Sequence, residues 1–288
     1  EWMLAAILYA FAAVGFSGGN VFYDSLIVSV SNNENRNRVS ALGYSLGYLG
    51  GGLLFLVNVI MFLNPQFFGI ENQSNAILIS FVMVAFWWAF FSIPILRNVS
   101  ESDTQKEEPR FFKAILQSFN EVYQTLMEVR KYKNVAIFLL AYWFYMDGID
   151  TIVRMATAYG SDIGLEASSM ITALILTQFV GFPSTLIFGY FADKIGFKKI
   201  ISIGILIYIL ISIFASRITT ATEFYLMAVV VGLVMGGVQA VSRAYFSSII
   251  PEDKEAQFFG FYNLVGKSAV VAGPALLAWI SMIFNTPR

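Results

Sequence analysis

The stretch SSMITALILTQFVGFPSTLIFGYFADKIGFKKIISIGILIYILISIFAS, residues 168–216, contains two apolar runs separated by a short charged turn. The runs extend from Ser168 to Ala192 and from Lys199 to Ser216. A bilayer core takes about 20 apolar residues of helix per crossing, so each run is about long enough for one membrane span. The stretch therefore predicts two transmembrane helices joined by a tight, basic turn.

Apolar runs of this kind recur along the whole chain. Hydrophobic residues make up 57% of the sequence and charged residues only 13%, a balance that favours lipid as the surrounding solvent. The other runs between polar breaks lie at 2–30, 39–63, 76–96, 134–159, 224–250 and 258–284. We therefore predict an all-α integral membrane protein with about eight transmembrane helices.

Lysine and arginine are concentrated in alternate loops. One set of loops and flanks holds Arg36, Arg38, Arg97, Lys106, Arg110, Lys113, Arg130, Lys131, Lys133, Lys194, Lys198, Lys199 and Lys254. The opposite set, at 65–75, 160–167 and 217–223, holds only Arg217. The positive-inside rule places the basic loops in the cytoplasm and both ends of the chain outside. We expect a multi-pass protein of a bacterial inner (plasma) membrane.

The longest polar stretch divides the predicted spans into three and five. Its second part has apolar residues at helical spacing: Phe111, Ile115, Phe119, Val122, Leu126 and Val129. This pattern indicates an amphipathic helix on the cytoplasmic membrane face, with a solvated linker as the alternative. The predicted domains are 1–97, the remainder of an N-terminal half with three helices; 98–133, a cytoplasmic linker; and 134–288, a C-terminal half with five helices.

Composition excludes several functional classes. The net charge of −1 implies no basic surface for nucleic acid, and the absence of cysteine and histidine excludes disulfides, imidazole bases and zinc sites of the usual ligands. No nucleophile–base motif, metal-ligand cluster or nucleotide-binding G-x-x-x-x-G-K-[ST] loop is present, so we expect neither an enzyme nor a primary pump. We predict no cofactor and no metal site. A coupling ion, if one is used, would be a proton carried by carboxylates.

The basic turn has the pattern G-x-x-x-D-[RK]-x-G-x-[RK]-[RK]. Its specified positions are Gly189, Asp193, Lys194, Gly196, Lys198 and Lys199. Gly189 lets its helix approach a neighbour closely, and Gly196 relieves the backbone of a tight turn. Asp193 is placed to meet a helix N-terminus or a basic partner, a contact that forms in one transporter state and breaks in the other. The alternative is a basic turn required only by topology.

This pattern resembles the cytoplasmic loop signature of the major facilitator superfamily. The segments 236–243, 250–252 and 258–264, together with 21–23 and 43–52, resemble its vacuolar-effluxer-like branch, which is related to autophagy. The resemblance implies twelve helices in two halves and a protein that is monomeric when full length. The turn at 189–199 is similar to the copy between helices eight and nine, so we expect this chain to hold helices 4 to 11. We also expect it to be truncated, since a span begins at once after Glu1.

The fourth predicted span carries three charges. Asp147, Asp150 and Arg154 are spaced by three and four residues, so they share a helical face, with Thr151 beside them. Charges within spans cost roughly 2.5–3.5 kcal/mol each at a helix centre on insertion scales and usually face a cavity or a partner. Two carboxylates and a cation could bind a zwitterion, or one carboxylate could take up a proton. The alternative is an internal salt bridge that holds the bundle together.

Three further polar pairs, each one turn apart, are candidate cavity residues. They are Gln239 and Arg243, Asn263 and Lys267, and Asn20 and Asp24. Arg243 lies close to a cytoplasmic end, which leaves a structural or lipid-headgroup role open. For Asp24 a topological anchor is the alternative.

The function that the sequence favours is secondary active transport of a small polar solute by alternating access. The family resemblance implies that the solute is an amino acid and that the direction is efflux. A cation-coupled sugar symporter, a channel and a non-transporting membrane scaffold stay open as alternatives. The expected partners are a small-molecule solute and the lipid bilayer, without nucleic acid.

Overall fold

The computed structural model describes residues 2–99, 111–251 and 254–284. Within these ranges the chain forms α-helices and one short 3₁₀ helix, Pro65–Phe68. The α-helices are α1 (Trp2–Val30), α2 (Arg36–Leu63), α3 (Gln73–Asn98), α4 (Phe111–Val129), α5 (Lys133–Asp162), α6 (Ala167–Ile195), α7 (Phe197–Ala215), α8 (Ala221–Ile249) and α9 (Glu255–Phe284).

Eight of these helices are long and apolar enough to cross a membrane, and α4 is the exception. They follow the predicted spans closely: α3, for example, covers 73–98 against the predicted 76–96. The predicted fold class, an all-α membrane bundle of the major facilitator type, is confirmed. The chain is a multi-pass integral membrane protein.

Polar residues define where several helices begin and end. Asn72 caps α3 by accepting a hydrogen bond from the Asn75 backbone N–H at 2.9 Å. Thr220 and Glu223 form a reciprocal capping box at the start of α8. Gly196, with φ of +97°, ends α6 and precedes α7 in a conformation that favours glycine. The tight turn predicted at this glycine is therefore present.

Helix α8 lies at the centre of the bundle, where it packs on α6, α7 and α2. Its glycines make this close packing possible. A Cβ atom on Gly236 would lie 2.1 Å from Thr185 Oγ1, and one on Gly237 would lie 2.2 Å from the Phe188 ring. These distances are far below van der Waals contact, so α6 and α8 approach each other through backbone that carries no side chain.

In sequence, α4 separates the spans into two groups, α1–α3 and α5–α9, and the contacts between these groups run along α2 and α1. Helix α2 packs on α6 and α8, and α1 packs on α9. Gly189 of α6 is opposite Ala41 of α2, where an added Cβ would lie 2.6 Å from the alanine Cβ. We call the end of the bundle with the turns at 31–35 and 196 the basic end. The positive-inside rule assigns this end to the cytoplasm.

Helix α4 lies between the two groups in sequence and contacts the start of α9. Gln257 Nε2 donates to Thr125 Oγ1 at 2.7 Å, and Val129 is 5% exposed. The Lys254 ammonium donates to Glu128, and this hydrogen bond raises the pKa of the lysine above its ordinary value. The acidic opening of the predicted linker, which contains Glu101, Asp103, Glu107 and Glu108, falls outside the described residues.

Candidate functional site: a buried clasp between the two helix groups

A buried arginine joins the two helix groups near the basic end. Arg243 of α8 is 3% exposed, and its Nη1 donates to Asp24 Oδ1 of α1 at 3.0 Å. Its Nε donates to Ser40 Oγ of α2 at 3.0 Å, and its Nη2 donates to the Ser40 carbonyl at 3.3 Å. Asn263 of α9 donates to the second Asp24 oxygen at 3.1 Å. We call Asp24, Ser40, Arg243 and Asn263 the clasp.

Aromatic rings complete the surroundings of the guanidinium. The Tyr44 ring centroid lies 4.6 Å from Arg243 Cζ and the Tyr23 centroid 5.5 Å away, both within the range of cation–π attraction. Asp24 is only 9% exposed. Arg243 and Asp24 are thus both buried and paired with each other.

The clasp has a direct consequence for the bundle. Burying two charges is costly unless their hydrogen bonds are satisfied, and here each of the three guanidinium nitrogens and both carboxylate oxygens has a partner. Parting α1 and α2 from α8 and α9 breaks this network at once. The clasp therefore stabilises the packing of α1 and α2 against α8 and α9 near the basic end.

Further hydrogen bonds join the same helices beside the clasp. Arg36 Nη1 donates to the Ser247 carbonyl at 3.0 Å, and Ser40 Oγ donates to the Ala240 carbonyl at 2.7 Å. Each bond links α2 to α8. Several contacts therefore join α2 to α8 at the basic end, and the clasp adds an ion pair to them.

The loop signature lies at the same end and contacts α2. Asn37 Nδ2 donates to Asp193 Oδ1 at 2.8 Å and to the Gly189 carbonyl at 2.7 Å. Asp193 thus contacts the first turn of α2 through the Asn37 side-chain amide, and its predicted role as a contact that differs between transporter states stays a prediction. The basic residues lie over aromatic rings: Lys194 Nζ is 4.3 Å from the Tyr190 centroid and Lys198 Nζ is 5.8 Å from that of Tyr245. Lys199 is exposed.

The charged face of α5 divides between two different environments. Asp147 Oδ1 accepts a hydrogen bond from the Gly273 backbone N–H of α9 at 2.6 Å. Thr151 is also close to Gly273, and its hydroxyl is buried without a hydrogen-bond partner. Arg154 is exposed, and neither Asp147 nor Asp150 forms an ion pair with it within the described ranges. The internal salt bridge considered for this face is absent there.

Asp150 and Lys267 each carry an ionisable group that forms no hydrogen bond with a described residue. Asp150 is half-buried and forms no hydrogen bond with any described residue, while it interacts electrostatically with Tyr44. The Lys267 ammonium of α9 is buried without a hydrogen bond and lies 6.0 Å from the Phe16 ring centroid of α1. Both Tyr44 and Lys267 interact electrostatically with Asp24 of the clasp. Lys267 is thus a cation that interacts with Asp24 of the clasp, and Asp150 is a carboxyl group that interacts with Tyr44.

The remaining candidates take no part in the clasp. Asn20 and Gln239 are half-buried, and neither has a hydrogen-bond partner among the described side chains.

Several residues of this region are not singled out by the sequence. Tyr142 stacks on Tyr262 with ring centroids 4.3 Å apart, and the Tyr145 hydroxyl lies 2.7 Å from Ser242 Oγ. In an apolar span, tyrosine and serine residues do not stand out from ordinary packing residues. The one available signal is the one-turn spacing of Ser40 and Tyr44, which places both on the face of α2 that meets Arg243.

Comparison with known proteins identifies the family. The family described as vacuole effluxer Atg22 like matches residues 1–285. The chain belongs to this family. The match confirms the resemblance to the vacuolar-effluxer-like branch of the major facilitator superfamily that the loop signature indicates.

Relatives of this Atg22-like chain include bacterial and fungal proteins. The Bacillus subtilis (strain 168) protein named uncharacterized MFS-type transporter YxiO is 39% identical over 279 residues, which cover 96% of this chain and 64% of the relative. Autophagy-related protein 22 of Kluyveromyces lactis is 25% identical, over 93% of this chain and 56% of the relative. The protein of the same name from Yarrowia lipolytica is 24% identical, over 95% and 50%. The chain thus spans between half and two thirds of the length of these relatives.

Proposed function

We propose that the full-length protein is a secondary transporter, not an enzyme, and that it moves a small polar solute by alternating access. The observation that carries this proposal is the clasp, a buried ion pair between the two helix groups at one end of the bundle. Rocking of one group against the other requires such a contact to form in one state and break in the other. Membership of the family and the names of its relatives support transport.

For the solute we propose an amino acid, moved in the direction of efflux. A zwitterion presents a carboxylate and an ammonium group, and Lys267 and Asp150 offer the complementary charges. Neither forms an ion pair with a described residue, although Asp150 interacts electrostatically with Arg154 and Lys267 with Asp24. A charged side chain within a span favours binding of an opposite charge, since it is otherwise left poorly solvated. We further propose that the coupling ion is a proton taken up by a carboxylate, with Asp150 as the acceptor. The protein would act as a monomer in a bacterial plasma membrane.

Counterflow in proteoliposomes tests this function directly. The full-length protein is reconstituted in vesicles preloaded with unlabelled amino acids, and entry of a labelled amino-acid mixture is followed at two pH values. Accumulation is expected for the wild-type protein. Lys267→Gln and Asp150→Asn are each expected to lower the initial rate by about 10-fold or more, because a hydrogen bond to a charged group contributes about 1.5–3 kcal/mol.

Matched controls separate the proposed site from charge in general. Arg217→Gln and Asp162→Asn remove the same charges from exposed positions at the opposite end and are expected to leave counterflow unchanged. If the two site variants transport at the wild-type rate, as the two controls are expected to do, the assignment of Lys267 and Asp150 to the solute site is refuted. Competition by sugars in place of amino acids would favour the sugar symporter, non-saturable entry would favour a channel, and no entry of any solute would favour a scaffold.

A further inference from the structure

The part of α4 whose side chains are described, residues 120–129, has three distinct faces. Thr125 and Val129 are buried against the protein. Beside them is an exposed apolar arc, which consists of Val122, Tyr123, Leu126 and Met127, each between 39% and 62% exposed. The polar residues Asn120, Glu121 and Gln124 are exposed on the remaining side. A helix with one apolar and one polar exposed flank suits a boundary between lipid and water.

The position and charge of α4 indicate which boundary this is. Helix α4 ends at Val129, and α5, a membrane span, begins at Lys133, so the end of α4 lies at the membrane surface. Arg130, Lys131 and Lys133 are exposed at this junction, and none of them forms an ion pair with a described residue. Basic residues at a membrane surface attract anionic lipid headgroups.

We propose that the apolar arc of α4 is immersed in the cytoplasmic leaflet and that Arg130, Lys131 and Lys133 bind anionic phospholipid headgroups there. The occupant of this exposed face is then the bilayer itself. Helix α4 also holds the start of α9 through the Gln257–Thr125 hydrogen bond, two turns before the clasp residue Asn263. The lipid contact is thereby connected to a helix that contributes to the clasp. This proposal does not depend on which solute is transported.

Site-directed spin labelling of the full-length protein in phosphatidylcholine–phosphatidylglycerol vesicles tests the immersion. Residues 1–288 contain no cysteine, so a cysteine introduced there is the only labelling site within this part of the protein. The variants are Leu126→Cys on the apolar arc and, as the matched control, Gln124→Cys about 160° around the helix. The Leu126 label is expected to be accessible to oxygen and protected from a water-soluble nickel chelate, and the Gln124 label the reverse.

Two results would overturn the immersion. Access of the nickel chelate to the Leu126 label would place the arc in water, and protection of that label from both reagents would show that a protein segment or a second copy covers it. Swapping leucine for cysteine at an exposed position leaves the buried contacts of Thr125 and Val129 in place, so the variant retains the α4 fold.

The binding of anionic headgroups by the basic residues is tested separately, with the same spin label. Removing phosphatidylglycerol, or replacing Lys131 and Lys133 with glutamine, is expected to shift the Leu126 label toward water. Each lysine is expected to change the ratio of immersed to exposed label about five-fold at low salt, which corresponds to roughly 1 kcal/mol per basic residue. Arg217→Gln, at the opposite end, is the control and is expected to change nothing. An immersion that is the same in neutral and anionic vesicles would overturn the anionic-lipid assignment.

Discussion

Replacing Asp24 with asparagine removes the counter-charge of Arg243 while keeping the size of the side chain. Arg243 retains its two hydrogen bonds to Ser40, and the new amide oxygen can still accept from Asn263. Removing one partner of a buried ion pair costs about 3–5 kcal/mol, because the remaining charge is buried without compensation. Because these hydrogen bonds are retained, we expect a cost at the lower end of this range, about 3 kcal/mol. About 3 kcal/mol corresponds to a change of about 100-fold in the ratio of closed to open conformations.

This ratio can be measured as the populations of short and long distances between the two helix groups at the basic end. Asn33→Cys lies in the turn between α1 and α2, and Ser248→Cys lies in the last turn of α8; both positions are exposed. Spin labels at the two cysteines report the distance between the groups by pulsed electron–electron resonance in the full-length protein. The wild-type background is expected to show a dominant short distance. Asp24→Asn is expected to add a substantial long-distance population.

Two controls isolate the ion pair. Asp162→Asn neutralises an exposed carboxylate at the opposite end and is expected to leave the distances unchanged. The double variant Asp24→Asn with Arg243→Gln leaves no uncompensated charge in the clasp, so part of the short-distance population is expected to return. A monodisperse Asp24→Asn protein with the wild-type distance distribution would refute the reasoning.

Two further predictions concern the packing of the bundle and use thermal unfolding of the full-length protein in detergent. Gly236→Ala places a Cβ 2.1 Å from Thr185 Oγ1 and is expected to destabilise by about 1–3 kcal/mol, whereas Gly47→Ala meets no atom within 4 Å and is expected to be neutral or stabilising. Equal unfolding temperatures would contradict this. Asp147→Ala leaves the Gly273 N–H without its acceptor and is expected to cost about 1–3 kcal/mol, while Asp147→Asn keeps an acceptor oxygen and most of the stability. A loss as large for asparagine as for alanine would show that the charge itself is required.

Much of the architecture follows from local sequence. The eight spans are apolar runs whose ends coincide with polar residues, so hydropathy locates them. The turn at Gly196 is also local, because its positive φ favours glycine and its flanks are charged. The close approach at Gly189 follows from the loop signature in the same way. These features depend on residues that are near one another in the chain.

The contacts between residues of the site do not follow from local sequence. Asp24 and Arg243 are 219 residues apart, and the sequence leaves a lipid-headgroup role open for Arg243 and a topological anchor open for Asp24. Asp147 and Asp150 share a helical face in sequence, yet only Asp147 accepts a backbone N–H of α9. Pro274 lies within α9 directly after Gly273, and a proline within a helix disturbs the backbone bonding of the preceding turn.

Helical periodicity determines which residues share a face, and hydropathy determines which segments enter the membrane. Neither determines how one helix is rotated about its axis relative to another. Neither determines at which end of the bundle the two helix groups come close to each other. Those quantities depend on the packing of all the helices together, through close crossings such as those at Gly189 and Gly236. The sequence by itself therefore determined the spans and the loop turn, and only the tertiary structure decided that Asp24, Ser40, Arg243 and Asn263 meet, because their meeting depends on how the packed helices are rotated.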